Sequence, residues 1–232
     1  MNSFKFGTVD SSEYGVYISE KESYKKPARK YTSQTVPGRN GSLFHDEESF
    51  EDVELSFMCV IRREFKEKFE DFIDDLHGQT GVQKFTESAH PDYFRMGTFV
   101  APVEPTPSLQ HRDGSFELKF TFKPQCFLNT GTAEVTLAAN SNTTFTNPSN
   151  QYALPLIRTT GAGAVTVGDT RITVTEATVI DCDLQDCYSP SNGANLNSTV
   201  TLSPNAFPRF GPGDTTIITT VKCYVTPRWW RI

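Results

Sequence analysis

Residues 53–77 read VELSFMCVIRREFKEKFEDFIDDLH, and this stretch decides how the first half of the chain folds. Apolar side chains recur at every second position from Val53 to Ile61, a period typical of a strand with one face in a core. From Phe65 to Leu76 the apolar spacing changes to three and four residues, and charged side chains fill the opposite face. This pattern predicts an amphipathic helix over about residues 62–77. Gly78 follows it and predicts a left-handed residue at the helix end.

A second alternating stretch supplies a partner strand for the first. Phe116, Leu118, Phe120 and Phe122 alternate with polar residues. Since each stretch has only one clearly apolar face, we expect the strands to pair in an antiparallel sheet. The first half is therefore predicted to be β-rich with one helix.

The density of charged residues changes sharply near residue 124. Residues 1–124 contain 16 Lys and Arg and 21 Asp and Glu, whereas residues 125–232 contain only 6 and 7. In the second half 35 residues are Thr, Ser or Asn. We interpret the change as a boundary between two domains, 1–124 and 125–232. Pro124, at the junction, is expected at a strand end or edge because it cannot donate to a ladder.

The second half shows short apolar stretches separated by turn residues. Stretches such as 154–157, 165–167 and 217–225 are divided by turn signals such as Gly161-Ala-Gly163 and Gly211-Pro-Gly213. Many short strands with frequent turns are typical of an antiparallel β-sandwich. No helical period is evident after residue 124. The fold class predicted for the whole chain is thus mainly β.

Composition excludes several classes of protein. The chain has 232 residues and a formal net charge of −6, so it lacks the basic excess of a general nucleic-acid binder. No apolar run approaches the roughly 18 residues of a membrane-spanning helix. The first ten residues contain no apolar signal-peptide core, so we expect no export by that route and a reducing compartment. Neither nucleic acid nor a membrane is an expected partner.

Five cysteines are present, at positions 59, 126, 182, 187 and 223. Buried free thiols are the favoured interpretation, because a buried Cys behaves as a small hydrophobe. A metal site is the alternative, with Cys182 and Cys187 beside Asp181, Asp183 and Asp186 as its candidate ligands. The spacing is wider than the usual C-x2-C knuckle and no His lies near it in sequence.

The sequence offers no convincing catalytic constellation. The four His residues, at 45, 77, 90 and 111, lack metal-binding spacing, although a Cys–His pair meeting in space stays open. Paired carboxylates for glycoside hydrolysis would come from Asp181, Asp183, Asp186, Asp214 or Glu176, but solvated strand and turn acids are the favoured interpretation. We predict no catalytic, cofactor or metal site, and a protein that is not an enzyme.

Three further features carry open interpretations. Val36-Pro-Gly-Arg-Asn-Gly41 is a turn between two extended stretches, and its glycine spacing alone is weak evidence for phosphate binding. Residues 101–108 contain three prolines and are predicted to be extended. Trp229 and Trp230 could stack on a sugar, but docking against the body of the protein is favoured.

Taken in order, these landmarks resemble one family: the distal tail proteins of long-tailed, non-contractile bacteriophages that infect Gram-positive hosts, or of their prophages. The similar segments are Val36–Gly41, Phe65–Gly78, Phe85–Gly97 with Pro91–Phe94, Phe120–Phe127, Tyr152–Ile157 with Gly161, Ile180–Cys182, Phe207–Gly213 and Pro227–Trp230.

The resemblance implies both an architecture and a role. Members of the family have a β-rich first domain with one helix, six copies of which close into a ring at the end of the tail tube, followed by a galectin-like β-sandwich. The implied partners are other copies of the chain, the major tail tube protein, the tail-tip protein and, in some phages, receptor-binding proteins. The implied location is the distal end of the virion tail, after assembly in the host cytoplasm.

Two expectations about function follow from the residues and the resemblance together. A structural ring protein is the favoured reading, with the ring interface in residues 1–124 and its extended charged segments, Lys21–Thr35 and His45–Asp52. The alternative is a carbohydrate-binding β-sandwich module for host recognition, based on Trp229, Trp230 and the Asn- and Thr-rich surface.

Overall fold

The two apolar periods of residues 53–77 become a strand at Val53–Ile61 and a helix at Phe65–His77. The computed structural model describes residues 2–21, 25–100, 102–108 and 112–232. These residues fold as two compact units. One ends at Cys126 and also takes in Ile232, and the other comprises Phe127–Arg231.

The first unit contains helix α1 (Phe65–His77) and ten strands, the last of which continues two residues into the second unit. The strands are β1 (Phe4–Phe6), β2 (Val9–Asp10), β3 (Val16–Lys21), β4 (Arg29–Thr35), β5 (Ser42–Phe50), β6 (Val53–Ile61), β7 (Gln83–Glu87), β8 (Tyr93–Phe99), β9 (Pro105–Pro107) and β10 (Gly114–Leu128).

Seven of these strands form one antiparallel sheet in the order β2-β1-β7-β8-β10-β6-β3, and β9 also pairs with β10. The pairing of β6 with β10 runs from Val53 opposite Phe122 to Ile61 opposite Gly114. The sequence predicted Pro124 at a strand end or edge, whereas the structure places it inside β10. The strand tolerates it because the pairing with β6 has already ended at Phe122.

Aromatic rings fill the space between this sheet and the helix. Phe65, Phe72 and Leu76 are the fully buried residues of α1, as its apolar spacing predicts. Phe120 is fully buried, and its ring lies 5.1 Å from that of Phe6. It also contacts the rings of Phe4, Phe57, Phe85, Phe99 and Phe122.

The end of α1 differs from the expectation. Gly78 has a φ of −63°, so it does not adopt the left-handed conformation that its position suggested. Its N–H donates to the carbonyl oxygen of Asp74 at 3.0 Å. The helix therefore ends by continuing its own hydrogen-bond pattern into Gly78.

The second unit is a sandwich of two five-stranded antiparallel sheets, in the orders β11-β20-β13-β16-β17 and β12-β19-β14-β15-β18. The ten strands of the two sheets are β11 (Val135–Leu137), β12 (Ser141–Asn147), β13 (Leu156–Thr159), β14 (Gly163–Val167), β15 (Thr170–Val174), β16 (Val179–Asp181), β17 (Asp186–Tyr188), β18 (Thr201–Ser203), β19 (Gly213–Thr219) and β20 (Cys223–Thr226). A further strand, β21 (Trp230–Arg231), pairs with β10.

The two sheets share one core of mostly aliphatic side chains. Ile157 and Val225 of one sheet and Val165 and Ile217 of the other are fully buried in it. The helical content of the described part of this unit is one short 3₁₀ turn at Asn129–Gly131. The mainly β fold predicted from the sequence is confirmed.

Candidate functional site

Strands β4 and β5 form a separate two-stranded sheet, and this hairpin is the candidate functional site of the first unit. All seven residues of β4 are exposed, and β5 is exposed along most of its length. The extended segments singled out in the sequence fall here, at residues 29–35 and 45–50. Glu22, Ser23 and Tyr24, part of the first segment, lie outside the described residues.

The turn that closes the hairpin is the glycine cluster Val36–Gly41. Gly38 and Gly41 both have a φ of +80°, a left-handed conformation that glycine adopts without steric cost. The loop joins two strands and not a strand to a helix, so it lacks the context of a phosphate-binding loop.

One face of the hairpin carries exposed aromatic side chains. Tyr31 lies opposite Asp46, and Ser33 lies opposite Phe44, which makes Tyr31 and Phe44 diagonal neighbours on the same face. Their exposed fractions are 55% and 73%. A sheet of two strands is marginally stable in water, so an apolar face of this kind is suited to being covered by another surface.

Charged side chains surround the aromatic face. The Arg29 guanidinium binds the Asp46 carboxylate, with Nη2 and Oδ2 2.7 Å apart, and lies 5.6 Å from the centre of the Phe50 ring. The hydrogen bond from Arg29 holds the pKa of Asp46 below its usual value. The hairpin therefore offers apolar and ionic contacts side by side, as protein–protein interfaces do.

The cysteines and nearby acids of the second unit have structural roles. Asp181 is bound by Arg228 through two hydrogen bonds of 2.7 and 3.0 Å. Asp186 accepts hydrogen bonds from the side-chain amides of Asn195 and Asn197. Within the described residues, no group of three or more His, Cys, Asp or Glu side chains is placed to hold a metal ion.

The thiols are poorly suited to nucleophilic chemistry. All five cysteines are buried, and none of them is in a disulfide. Burial raises the pKa of the Cys59, Cys182 and Cys223 thiols, and raises that of Cys187 to about 11. A raised pKa disfavours the thiolate, which is the reactive form.

The histidines and the remaining acids are dispersed. His77 lies against Phe99 and His90 against Tyr93, whereas His45 is exposed on the hairpin and His111 lies outside the described residues. Of the candidate hydrolytic acids, Asp214 accepts a hydrogen bond from Thr146, and Asp183 and Glu176 are exposed.

Both C-terminal tryptophans are engaged in packing within the second unit. Trp229 is 5% exposed and its ring lies 5.1 Å from that of Phe210. Trp230 is half-buried, and its Nε1 donates to the carbonyl oxygen of Tyr152 at 2.9 Å. Trp229 is therefore part of the core, and the hydrogen bond of Trp230 holds its ring against the second unit. The carbohydrate-binding alternative stays a prediction.

Comparison with known proteins bears on the fold. No protein-family model matches the chain, and no curated protein matches its sequence. The SPP1 Dit protein, described as a paradigm of the hub adsorption apparatus in phages infecting Gram-positive bacteria, matches with a TM-score of 0.70. The match covers 97% of both chains at 14% identity. The fold is that of the SPP1 Dit protein.

Two structures of the phage P2 baseplate in its activated conformation, with calcium and with strontium, match more distantly. Their TM-scores are 0.53 and 0.51, at 10% identity, and each match covers 97% of both chains. At such identities the likeness establishes the fold. Within the described residues, no helix combines the length and apolar character that a membrane crossing requires.

Proposed function

We propose that this chain is a structural protein of a phage tail tip, where six copies form a ring that joins the tail tube to the tail-tip and receptor-binding apparatus. The observation that carries the proposal is the match to the SPP1 Dit hub protein over 97% of both chains, which takes in both units in order. In this role the protein is not an enzyme, and it acts at the distal end of the virion tail after assembly in the host cytoplasm.

The ring interface is assigned to the first domain, residues 1–124. A closed ring needs a heterologous interface, in which one surface of a copy meets a different surface of the next. The β4–β5 hairpin supplies one such surface, because Tyr31 and Phe44 are uncovered in their own chain. The near balance of 16 basic and 21 acidic residues in this domain allows complementary charged surfaces.

The second domain, residues 125–232, is proposed to project from the ring and to be dispensable for it. Its core is formed by its own two sheets, which supports independent folding. The partners of the ring are the tail tube protein, the tail-tip protein and receptor-binding proteins.

Electron microscopy of the full chain over a range of concentrations tests the proposal, together with images of the phage particle. We expect six-fold rings in contact through the first domain, and the same ring at the end of the tail tube. Rings in contact through the second domain would reverse the assignment of the interface. A particle with no ring of this protein at the tube end would refute the proposed role.

A further inference from the structure

The second unit contains a cleft of about 790 Å³ at one end of its sandwich. This volume lies within the range of about 300–1,000 Å³ typical of small-molecule sites. Leu154, Leu202 and Phe207 line it and are half-buried, so part of its wall is apolar. The cleft draws its lining from segments between residues 152 and 215, far apart in sequence.

Tyr152 gives the cleft an exposed aromatic ring on a fixed backbone. The residue is 51% exposed, and the Arg209 guanidinium lies 4.1 Å from the centre of its ring. Its carbonyl oxygen is held by Trp230, and the next residue, Ala153, exchanges two backbone hydrogen bonds with Phe210. A ring anchored in this way loses little conformational freedom when a ligand stacks against it.

Polar side chains at the rim have unused hydrogen-bonding capacity. Asp169, Gln185 and Asn205 line the cleft and are exposed, and their side chains form no hydrogen bond or ion pair with any other described residue. Gln185 has a φ of +54°, a conformation that non-glycine residues seldom adopt outside functional or tightly constrained positions. The rim is thus available to a ligand.

The charges of these side chains indicate the class of ligand. One carboxylate, Asp169, and one guanidinium, Arg209, cancel formally, and the two amides supply both donors and acceptors. An anion or a cation gains no net attraction from such a set. A neutral molecule with several hydroxyl groups and one apolar face satisfies both the rim and the aromatic ring.

We propose that this cleft binds a neutral saccharide, which stacks on Tyr152 and hydrogen-bonds through its hydroxyl groups to Asp169, Gln185 and Asn205. The site differs from the terminal tryptophans considered from the sequence, and it lies wholly within the second unit. It does not rest on the ring role, because a sandwich can bind a sugar whether or not the first unit assembles.

Saturation-transfer difference NMR on the full chain tests the proposal, since the method works for a monomer and for a large ring alike. The probes are glucose, galactose, N-acetylglucosamine and rhamnose, with glucose 6-phosphate as the anionic comparator. We expect saturable transfer to at least one neutral sugar. No transfer to any of the four, or stronger transfer to glucose 6-phosphate than to glucose, would overturn the proposal.

Two substitutions locate the binding. Tyr152→Ala should weaken binding about fivefold or more, because a sugar-stacking ring contributes on the scale of other aromatic contacts. Asp169→Asn should also weaken it. The matched controls are Ile218→Ala and Glu176→Gln, which change exposed residues outside the cleft lining and should leave binding unchanged. Equal transfer in the Tyr152 variant and the wild type, with unchanged circular dichroism, would place any binding elsewhere and reject the site.

Discussion

Strands β5 and β6 are each nine residues long and are separated by only two residues in the sequence, yet they differ in burial. Along β6 buried and solvent-facing residues alternate, and every odd-numbered position from Val53 to Ile61 is buried. Along β5 most residues are exposed, and its partner β4 is exposed throughout. Both strands pair in antiparallel fashion, so backbone pairing is common to the two regions and burial is what separates them.

The difference shows where the stability of the first unit originates. A fully buried Phe side chain contributes roughly 1.5–3 kcal/mol relative to an exposed one. The sheet containing β6 buries many such rings against α1, whereas the hairpin leaves Phe44 in water. The apolar surface of the hairpin therefore adds little to the stability of the single chain, but it can stabilise an assembly that covers it.

The largest difference in stability is expected when Phe is replaced by Ala, once in the aromatic core and once on the hairpin. Phe120→Ala should lower the free energy of unfolding of the first unit by about 3–5 kcal/mol, because it empties the centre of the aromatic core. Phe44→Ala should change it by less than about 0.5 kcal/mol in the monomer. Calorimetry of the full chain measures both, with the transition of the second unit as an internal reference. Similar losses from both variants would show that the hairpin is part of the folding core.

A glycine in each unit extends the comparison to close packing. Gly97 of β8 faces β10, and an added Cβ would lie 2.6 Å from the carbonyl oxygen of Thr121. Gly97→Ala should therefore cost about 2–3 kcal/mol, since backbone and the buried Phe122 ring must move. Gly161→Ala, which meets nothing within 4 Å, is the matched control. In thermal denaturation, Gly97→Ala should lower the melting temperature of the first unit, and Gly161→Ala should leave the melting temperatures of both units unchanged. An unchanged melting temperature would contradict the tight contact between β8 and β10.

Two Arg–Asp pairs compare a partly buried ion pair with an exposed one. In Arg228–Asp181 the carboxylate side chain is 7% exposed, whereas in Arg29–Asp46 it is 36% exposed. Asp181→Asn should destabilise the second unit by about 1–2 kcal/mol, below the range for fully buried pairs because Arg228 is partly solvated. Asp46→Asn should have no measurable effect on unfolding, as is usual for surface pairs. Urea denaturation at pH 7 measures both.

The Asp181 pair also predicts a pH dependence. Burial is the largest single influence on the pKa of Asp181 and would raise it. The hydrogen bonds from Arg228 and from the backbone N–H groups of Leu184 and Asp183, together with the charge of Arg228, outweigh burial, so the pKa lies below its ordinary value of 3.8. The carboxylate therefore stabilises the fold above pH 3.8, and this contribution is lost as the pH falls through the lower pKa of the folded state. The difference between wild type and Asp181→Asn should vanish in that range. A difference that persists below it would show that the substitution acts through packing.

The sequence predicted those elements whose side chains repeat with a clear period. Strand β6, strand β10 and helix α1 follow from alternating and helical spacing because one face of each is buried in the same core. Strand β1 has only three residues, which are too few to show a period. The last turn of α1 carries two acids, Asp74 and Asp75, which the negative end of the helix dipole disfavours. The structure accounts for one of them, because the Tyr14 hydroxyl donates to Asp75, and this hydrogen bond raises the pKa of Tyr14 to about 12.

The candidate sites were less predictable than the fold. The hairpin was recognisable as two extended, charged segments around a glycine turn. The diagonal placement of Tyr31 and Phe44, however, depends on the pairing register, which is continuous from Thr35 opposite Ser42 to Tyr31 opposite Asp46. The cleft of the second unit could not be foreseen, because Tyr152, Asp169 and Asn205 meet only after the strands pair. The sequence offered Trp229 and Trp230 as candidate sugar-stacking residues, but Trp229 is packed in the core of the second unit.

The smallest effect on stability is expected from Phe44→Ser. This substitution also tests whether the hairpin forms part of the ring interface. With the Phe44 side chain 73% exposed, its loss should leave the melting temperature of the single chain unchanged. If the hairpin face is covered in the ring, the same loss should raise the concentration needed for self-association about tenfold, as for an interface residue worth 1.4 kcal/mol. Val82→Ser, at another exposed apolar residue of the first unit, is the control. Light scattering across a concentration series measures the assembly. Equal association of the two variants would show that the ring interface does not include this face.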